Sequence, residues 1–413
     1  MDSRILAVMG KGFGDEGKGL AVDYFCSRVP KSLVIKHNGG AQAGHTVDYE
    51  GKHFVFHQLS AGSFRYADTF WANTYYPDLF KLREEVEAFS ALAGFRPHIL
   101  SQPDTPVTII DDVLINMMLE TQRGDDRHGS CGMGINEADL RTKSGFGITV
   151  SDLLSLDART LVQKILDIRK QYGQKRLEEV GLGSQSQLSF CPKTREYAEL
   201  LQSKTVVENA VEEMLANAFA YVTLSDQTSK LLGQKPQILF ESGQGLLLDA
   251  KNETFAPHVT ASRTGLHNPV AFLKKYDLPL GEAVYVTRTY VTRHGAGPLP
   301  YECPQQDLKL TEADATNVEN PWQGRLRYAK HGTVSEFLAP IREDVESIVG
   351  KQPFKPFTTS LFLTHVNETG GLLYMADKSL SWQEARLLPE MRKVIDTWYL
   401  SASKTADGVQ HYT

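Results

Sequence analysis

Two glycine-rich stretches near the start of the chain hold the residue types that move phosphate and protons. The first runs Gly10-Lys11-Gly12-Phe13-Gly14-Asp15-Glu16-Gly17-Lys18-Gly19, and the second Asn38-Gly39-Gly40-Ala41-Gln42-Ala43-Gly44-His45-Thr46. Gly12, Gly14 and Gly17 fit the GxGxxG dinucleotide fingerprint, which also requires an acid about 20 positions on for a ribose hydroxyl. The second strand candidate ends Lys36-His37-Asn38 with no acid, which disfavours a nicotinamide cofactor. Gly12 to Lys18 also fits the opening of a P-loop, but Gly19 stands where that loop places a metal-binding Ser or Thr. Asp15 and Glu16 would repel phosphate unless a carboxylate there ligates Mg²⁺ or removes a proton. His45 closes the second stretch. A lone loop histidine usually lies at the surface or caps a turn, so its weight comes from its pairing with the first loop.

Four later residues bear on recognition. Gln244, in Ser242-Gly243-Gln244-Gly245, follows a strand candidate ending at Glu241, and its neutral amide suits a neutral base or a developing oxyanion. Arg325 and Arg327 offer forks for carboxylates, although two loop arginines alone are ordinarily a solvated pair. Thr260 alone is explained by β-propensity.

The elements that must position these residues alternate between strand and helix. Ile5 to Met9 is a buried-strand pattern, Leu20 to Phe25 a helix, and Leu33 to Lys36 a second strand. Phe80 to Leu92 and Asp111 to Glu120 have helical spacing, and Arg123 to Asn136 reads as a polar loop. Asp152 to Glu179 and Tyr197 to Val222 read as long amphipathic helices joined by a loop containing Gly181 and Gly183. Gln237 to Glu241, Ala283 to Val291 and Ser360 to His365 are strand candidates; Val334 to Val349 and Trp382 to Trp398 are helical. The expected fold is α/β, a large, mostly parallel central sheet flanked by helices. It is expected to form a single domain over 1–413 with helical insertions at about 152–222.

Composition excludes several classes. The 413 residues carry 44 Lys+Arg against 50 Asp+Glu, a net charge of −6, with 41% hydrophobic and 23% charged residues. This is an ordinary globular balance, neither disordered nor collagen-like. It gives no electrostatic footprint for nucleic acid or anionic membrane, so neither partner is expected. Cys26, Cys131, Cys191 and Cys303 form no CxxC pair. The N-terminal apolar run stops at Gly10, short of a signal-peptide core, and no run approaches a membrane span, so a cytoplasmic location is expected.

Gly14-Asp15-Glu16-Gly17-Lys18-Gly19 with Val22-Asp23, followed by Gly39 to Val47, resembles the two signature loops of adenylosuccinate synthetases. Further similar patches are Phe240 to Gly245, Val259 to Ser262, Thr292 to Pro298 and Gly324 to Arg327. The resemblance implies a P-loop-like fold and a homodimer. It also implies a ligase that phosphorylates the 6-oxo group of a purine monophosphate, foremost IMP, with GTP and Mg²⁺, and then displaces phosphate with aspartate. Asp15 would be the base, His45 would stabilise the moving phosphoryl group, and Lys18 and Gln244 would complete the catalytic set. Gly12, Gly14, Glu16, Gly17, Lys18, Gly19, Gly44 and Thr46 would hold the nucleoside triphosphate, with Asp15 and Gly44 on the metal. Gln42, Gly129, Ser130, Lys143, Thr260, Arg325 and Arg327 would bind the purine nucleotide and the amino acid, with Arg141 as the alternative to Lys143.

Departures from the family pattern cluster where substrates are chosen. Gly12, Phe13, Ala41 and Gln42 replace family residues in the two loops, and Trp322 and Gln323 stand in place of two threonines expected near the amino acid. Phe362, at the end of Thr359-Ser360-Leu361-Phe362, aligns with an aspartate that reads guanine. These changes favour ATP or relaxed triphosphate use. They also keep open a paralogue acting on GMP or dGMP, or using another amine. A non-catalytic nucleotide-binding regulator is the rival from another class.

Overall fold

The first strand feeds two cores at once. Leu6 and Val8 join one buried cluster, while Ile5, Ala7 and Met9 join another on the opposite face. Apolar residues on both sides of a strand require layers above and below it, as in a parallel sheet covered by helices. The computed structural model describes residues 4–124, 132–183, 190–311, 324–350 and 356–413.

The described strands are β1 (Arg4–Gly10), β2 (Leu33–Lys36), β3 (His45–Tyr49), β4 (Lys52–Phe56), β5 (Asp68–Trp71), β6 (Ile99–Ser101), β7 (Val222–Leu224) and β8 (Gln237–Gly245). They continue with β9 (Glu282–Arg288), β10 (Val291–Arg293), β11 (Arg327–Ala329), β12 (Thr358–Thr364), β13 (Leu372–Tyr374), β14 (Ser379–Ser381), β15 (Thr397–Ser401) and β16 (Val409–Tyr412). Among the described residues, ten of these form one sheet in the order β16-β15-β12-β9-β1-β8-β2-β5-β6-β7. Its pairings are parallel except β15 with β16. The carboxyl ends of β12, β9, β1, β8 and β2 therefore lie along one edge, where open α/β sheets bind ligands. Both glycine-rich stretches, Gln244 and the residues after β9 and β12 leave from that edge.

The expected helical insertion consists of Val150–Ser155, Ala158–Ile168, a π-helical turn over Arg169–Gly173, Gln174–Glu179, Pro192–Gln202 and Lys204–Tyr221. The expected continuous helix over Asp152 to Glu179 is interrupted because Leu156 is extended and Asp157 caps a new start by accepting from the Thr160 N–H. Leu161, Ile165, Val207, Val211 and Met214 share the cluster that contains Leu6 and Val8, so these helices cover the sheet.

Three further expectations need correction. Trp382 to Trp398 is not one helix: it divides into Trp382–Leu387 and Pro389–Val394, followed by β15. Leu388 is extended because it precedes Pro389, and the β-prone Thr397-Trp398-Tyr399 pairs beside β12. The strand expected over Ala283 to Val291 ends at Arg288, and Val291–Arg293 pairs instead with β11. Finally, His45 and Thr46 begin a β3–β4 hairpin rather than ending a loop.

Candidate active site

The first loop is tied to neighbouring strands through its backbone. The Lys11 N–H donates to the Val286 carbonyl at 2.8 Å, and the Leu247 N–H donates to the Gly12 carbonyl at 3.0 Å. The loop then passes through left-handed conformations at Gly14, Asp15 and Gly17, with φ of 94°, 54° and 90°, before helix α1 (Lys18–Arg28) begins. The positive end of that helix and its leading N–H groups suit an anion.

The two acids in this loop point to different environments. Glu16 turns inward and is buried, and its Oε1 accepts the Gly12 N–H at 2.6 Å. Burial pushes its carboxyl up to about 7, against the opposing pull of Lys18 and Lys11. The Glu16 side chain therefore braces the loop, and it is the residue's backbone N–H that is free to meet a cofactor. Asp15 keeps about a third of its side chain exposed, and its Oδ2 lies 3.9 Å from His294 Nε2. Lys18 is buried, which lowers its pKa, while Glu16, Asp15 and Glu241 oppose that shift.

The second loop returns to the first. A Cβ on Gly19 would fall 2.6 Å from the Thr46 carbonyl and 3.2 Å from the His45 Cβ. Glycine is therefore required where α1 meets the start of β3. His45 is buried, and its Nδ1 pairs with Glu241 Oε1 from β8. Glu241 also accepts the Ala61 N–H at 3.2 Å and lies 3.6 Å from Lys36 Nζ. Burial alone would raise the Glu241 carboxyl, but Lys36, the His45 imidazole and the Ala61 N–H together hold it at about 2. An ionised Glu241 can only accept, so Nδ1 of His45 carries the shared hydrogen. His45 Nε2 is buried without a hydrogen-bond partner in the protein. Burial lowers the His45 pKa despite Glu241, so the ring is neutral near pH 7.

This edge has an unsatisfied acceptor or donor where a substrate group would complete it. Asp15 in the first turn, Lys18 and Gly19 at the start of α1, Gly44 in the second stretch, and His45 and Thr46 at the start of β3 belong to these two adjoining segments. Gln244 also faces the second turn, where its Oε1 accepts from Asn38 Nδ2 at 3.3 Å. Gln42 is half-buried, and its Oε1 has no partner. Thr260 is half-buried, and its N–H donates to the Leu248 carbonyl at 2.8 Å.

Other expected residues are placed differently. Arg141 is buried in a two-armed pair with Asp112 at 2.9 Å and donates to the Val107 and Phe146 carbonyls, so it braces the fold. Lys143 is exposed and paired with Asp139 at 2.6 Å. Arg325 is exposed, and the Arg327 fork is engaged by Glu302 and by the Gly295 and Gly297 carbonyls. Phe362 lies inside β12, stacked on Tyr399 at 5.7 Å and fully buried, so it is a core residue and not a base-reading one. Gly129, Ser130, Trp322 and Gln323 lie outside the described residues.

Sequence reasoning missed Glu241 and Lys36 as partners of the histidine. The available signal was two ionisable residues ending strands that are otherwise apolar. It also missed Arg293, a buried guanidinium over the Phe13 ring at 4.5 Å that donates to the Pro298 and His258 carbonyls. Burial lowers its pKa to about 10.

The partly exposed carboxylate of Asp15 and the exposed backbone at Gly44 are groups of the kind magnesium takes, since it usually binds one or two carboxylates together with substrate phosphates and water. Among the described residues no cluster of three acidic, His or Cys side chains forms a complete protein cage.

The adenylosuccinate synthetase family model matches residues 7–320. The chain is 28% identical over 300 residues to adenylosuccinate synthetase of Chlorobium chlorochromatii, covering 71% of this chain and 64% of the relative. It is 30% identical over 301 residues to that of Tolumonas auensis, covering 72% and 64%. These matches thus span just under two thirds of the relatives' own length. The fold is similar to fully ligated adenylosuccinate synthetase from Plasmodium falciparum, with TM-score 0.67, 17% identity and 98% and 99% of the two chains covered. It is also similar to succinoaminodeoxyadenylate synthetase of cyanophage S-2L bound to dGMP and dATP, with TM-score 0.60, 16% identity and 100% and 96% covered.

Proposed function

The chain belongs to the adenylosuccinate synthetase family, and from that premise we propose that it is a purine nucleotide ligase joining an amino acid to C6 of a purine monophosphate. The first choice is IMP with aspartate, at the expense of a nucleoside triphosphate. The observation that carries this reading is the packing of Gly19 against His45 and Thr46, which brings both loops to one sheet edge.

In this reading Asp15 removes the proton from the ring N–H beside the 6-oxo group. The oxygen then bonds to the γ-phosphorus as the bond to the departing nucleoside diphosphate breaks. His45 meets the moving phosphoryl oxygens through Nε2, and Lys18 offsets their charge. The amino nitrogen next bonds to C6, phosphate leaves with the oxygen, and the amine loses a proton. Gln244 holds the purine, Gln42 and Thr260 line its nucleotide, and Arg325 with Arg327 receives the amino acid's carboxylates after Glu302 yields. Asp15 and the Gly44 carbonyl would hold Mg²⁺, which when bound neutralises triphosphate charge. Gly129, Ser130 and Lys143 remain assigned to the nucleotide phosphate, Lys143 across a homodimer interface. No described helix is long and apolar enough to cross a membrane.

A second reading takes GMP or dGMP with ATP. It is favoured by the fold's likeness to the cyanophage enzyme bound to dGMP and dATP and by the ring N–H that Asp15 would need, which GMP shares with IMP.

The test is a mass-spectrometric screen of purine monophosphates against amino acids, with ATP and GTP compared. A conjugate and phosphate formed in equal amounts, and abolished by Asp15→Ala, support the ligase. Nucleotide binding without turnover across the panel would replace it with a non-catalytic regulator.

A further inference from the structure

The Asp15–Gly17 turn is gripped from behind by the ends of the two strands that follow β1 across the sheet. Arg288, the last residue of β9, is 3% exposed, and its Nε donates to the Asp15 carbonyl at 2.6 Å. A second arm of the same guanidinium donates to the Tyr290 hydroxyl at 3.0 Å, and that hydroxyl donates to Glu368 at 2.5 Å. Thr364, the last residue of β12, donates its hydroxyl to the Glu16 carbonyl at 2.8 Å. The two consecutive carbonyls of the turn are thus drawn to the same side by two different strands.

In a trans peptide the carbonyl and the following N–H point in opposite directions. Holding the Asp15 carbonyl on Arg288 therefore turns the Glu16 N–H away from the protein body, and holding the Glu16 carbonyl on Thr364 does the same for the Gly17 N–H. Consecutive N–H groups around left-handed residues form a concavity for an anion, here directly before α1. The conformation needs this support because Asp15 has a φ of 54°, unfavourable for a side-chain-bearing residue. The approach is close: a Cβ on Gly17 would fall 2.8 Å from the Thr364 Cγ2.

We propose that Arg288 and Thr364 are positioning residues that preset the Glu16 and Gly17 amides for a triphosphate, with Tyr290 and Glu368 fixing the Arg288 fork. This rests on the ligase reading only for the identity of the anion.

The experiment compares Thr364→Val, Thr364→Ser, Arg288→Lys and Tyr290→Phe with the unmodified chain. It measures calorimetric affinity for the magnesium complexes of ATP and GTP, kcat, the KM for each substrate, and Tm. Thr364→Val keeps the shape and removes the hydroxyl that holds the Glu16 carbonyl and also meets the Thr287 carbonyl and His365 Nδ1, so triphosphate affinity falls about tenfold while the KM for the amino acid stays put. Thr364→Ser restores the affinity. Arg288→Lys and Tyr290→Phe act in the same direction, and if Arg288→Lys fails to fold the two milder variants decide. Affinity within twofold of the unmodified chain in Thr364→Val and Tyr290→Phe overturns the proposal, whatever happens to Tm. If the unmodified chain binds triphosphate without forming a conjugate, the ligase reading fails and the binding comparison still decides the clamp. A chain that binds neither triphosphate overturns both.

Discussion

Glu241 and His45 stand 196 residues apart and share one buried hydrogen bond, with the carboxylate on Nδ1 and the ring's Nε2 left open. The parallel pairing of β2 with β8 brings Lys36 opposite Glu241, so the acid that orients the imidazole also has a cation beside it. An orienting carboxylate selects the tautomer, which decides whether the ring can serve the reacting group.

Glu241→Gln removes that selection. The amide presents an N–H as well as an oxygen, and Lys36 loses its counter-charge. Turnover is expected to fall by about 10²-fold or more. Steady-state phosphate release checks this, and a rate within threefold of the unmodified enzyme would show that the pair is structural.

The same carboxylate links stability to acid. Its pKa is held at about 2, below the ordinary 4.5. A depressed carboxyl contributes stability that is fully present above pH 4.5 and is lost as pH falls through 2. The amount is about 3 kcal/mol. Denaturant midpoints between pH 6 and 2 should therefore fall less steeply for Glu241→Gln than for the unmodified chain. Equal slopes would remove Glu241 from the acid response.

Gly19→Ala tests the meeting of the two loops. The backbone of α1 accepts alanine readily, so the effect comes from the new methyl group, 2.6 Å from the Thr46 carbonyl. The hairpin must shift, at a cost of about 1–3 kcal/mol. Displacing His45 from the first loop should lower turnover at least tenfold, even at temperatures where the variant is fully folded. Unchanged kinetics would mean that the hairpin does not serve the reaction.

What the sequence revealed was local. Asp15 to Gly19 and Gly44 to His45 are contiguous runs whose residue types name their chemistry, and the apolar strands near them are short and uninterrupted. Glu241 and Arg288 were not readable as partners, because parallel strand pairing joins residues hundreds of positions apart. Thr397 and Trp398 fit the helical pattern because Trp382 to Val394 gives apolar spacing up to their edge, and the break at Pro389 is a single residue within that spacing. Phe362 lies in a strand where apolar residues and small hydroxyls, Thr359-Ser360-Leu361-Phe362-Leu363-Thr364, carry no charged residue to fix the register of a motif.

Phe362→Leu follows from that correction. The ring packs among Tyr24, Phe25 and Tyr399. Its loss should destabilise the chain by about 1–2 kcal/mol and leave the ratio of ATP to GTP use unchanged. Competition assays with the two triphosphates decide; a switched preference would restore Phe362 to the nucleotide site.

Binding itself should take up protons. Burial lowers the His45 pKa, so its Nε2 is bare near neutrality, yet a phosphoryl oxygen offers only lone pairs and needs a donor. A triphosphate anion at the loop favours the protonated ring, and Glu241 on the other edge accepts the second N–H. Glu16 at about 7 and Lys11 at about 8 titrate in the same range, and the anion would raise both as well. Every one of these shifts has the same sign, so triphosphate binding at pH 7 to 8 should consume protons. Calorimetry in two buffers of different ionisation enthalpy measures the number. His45→Asn should lower the uptake by the histidine's share and Glu16→Gln by the carboxyl's, with Lys11 left to account for the remainder. Zero uptake or net release in the unmodified protein would mean that the imidazole reaches the phosphate already charged, or does not reach it at all.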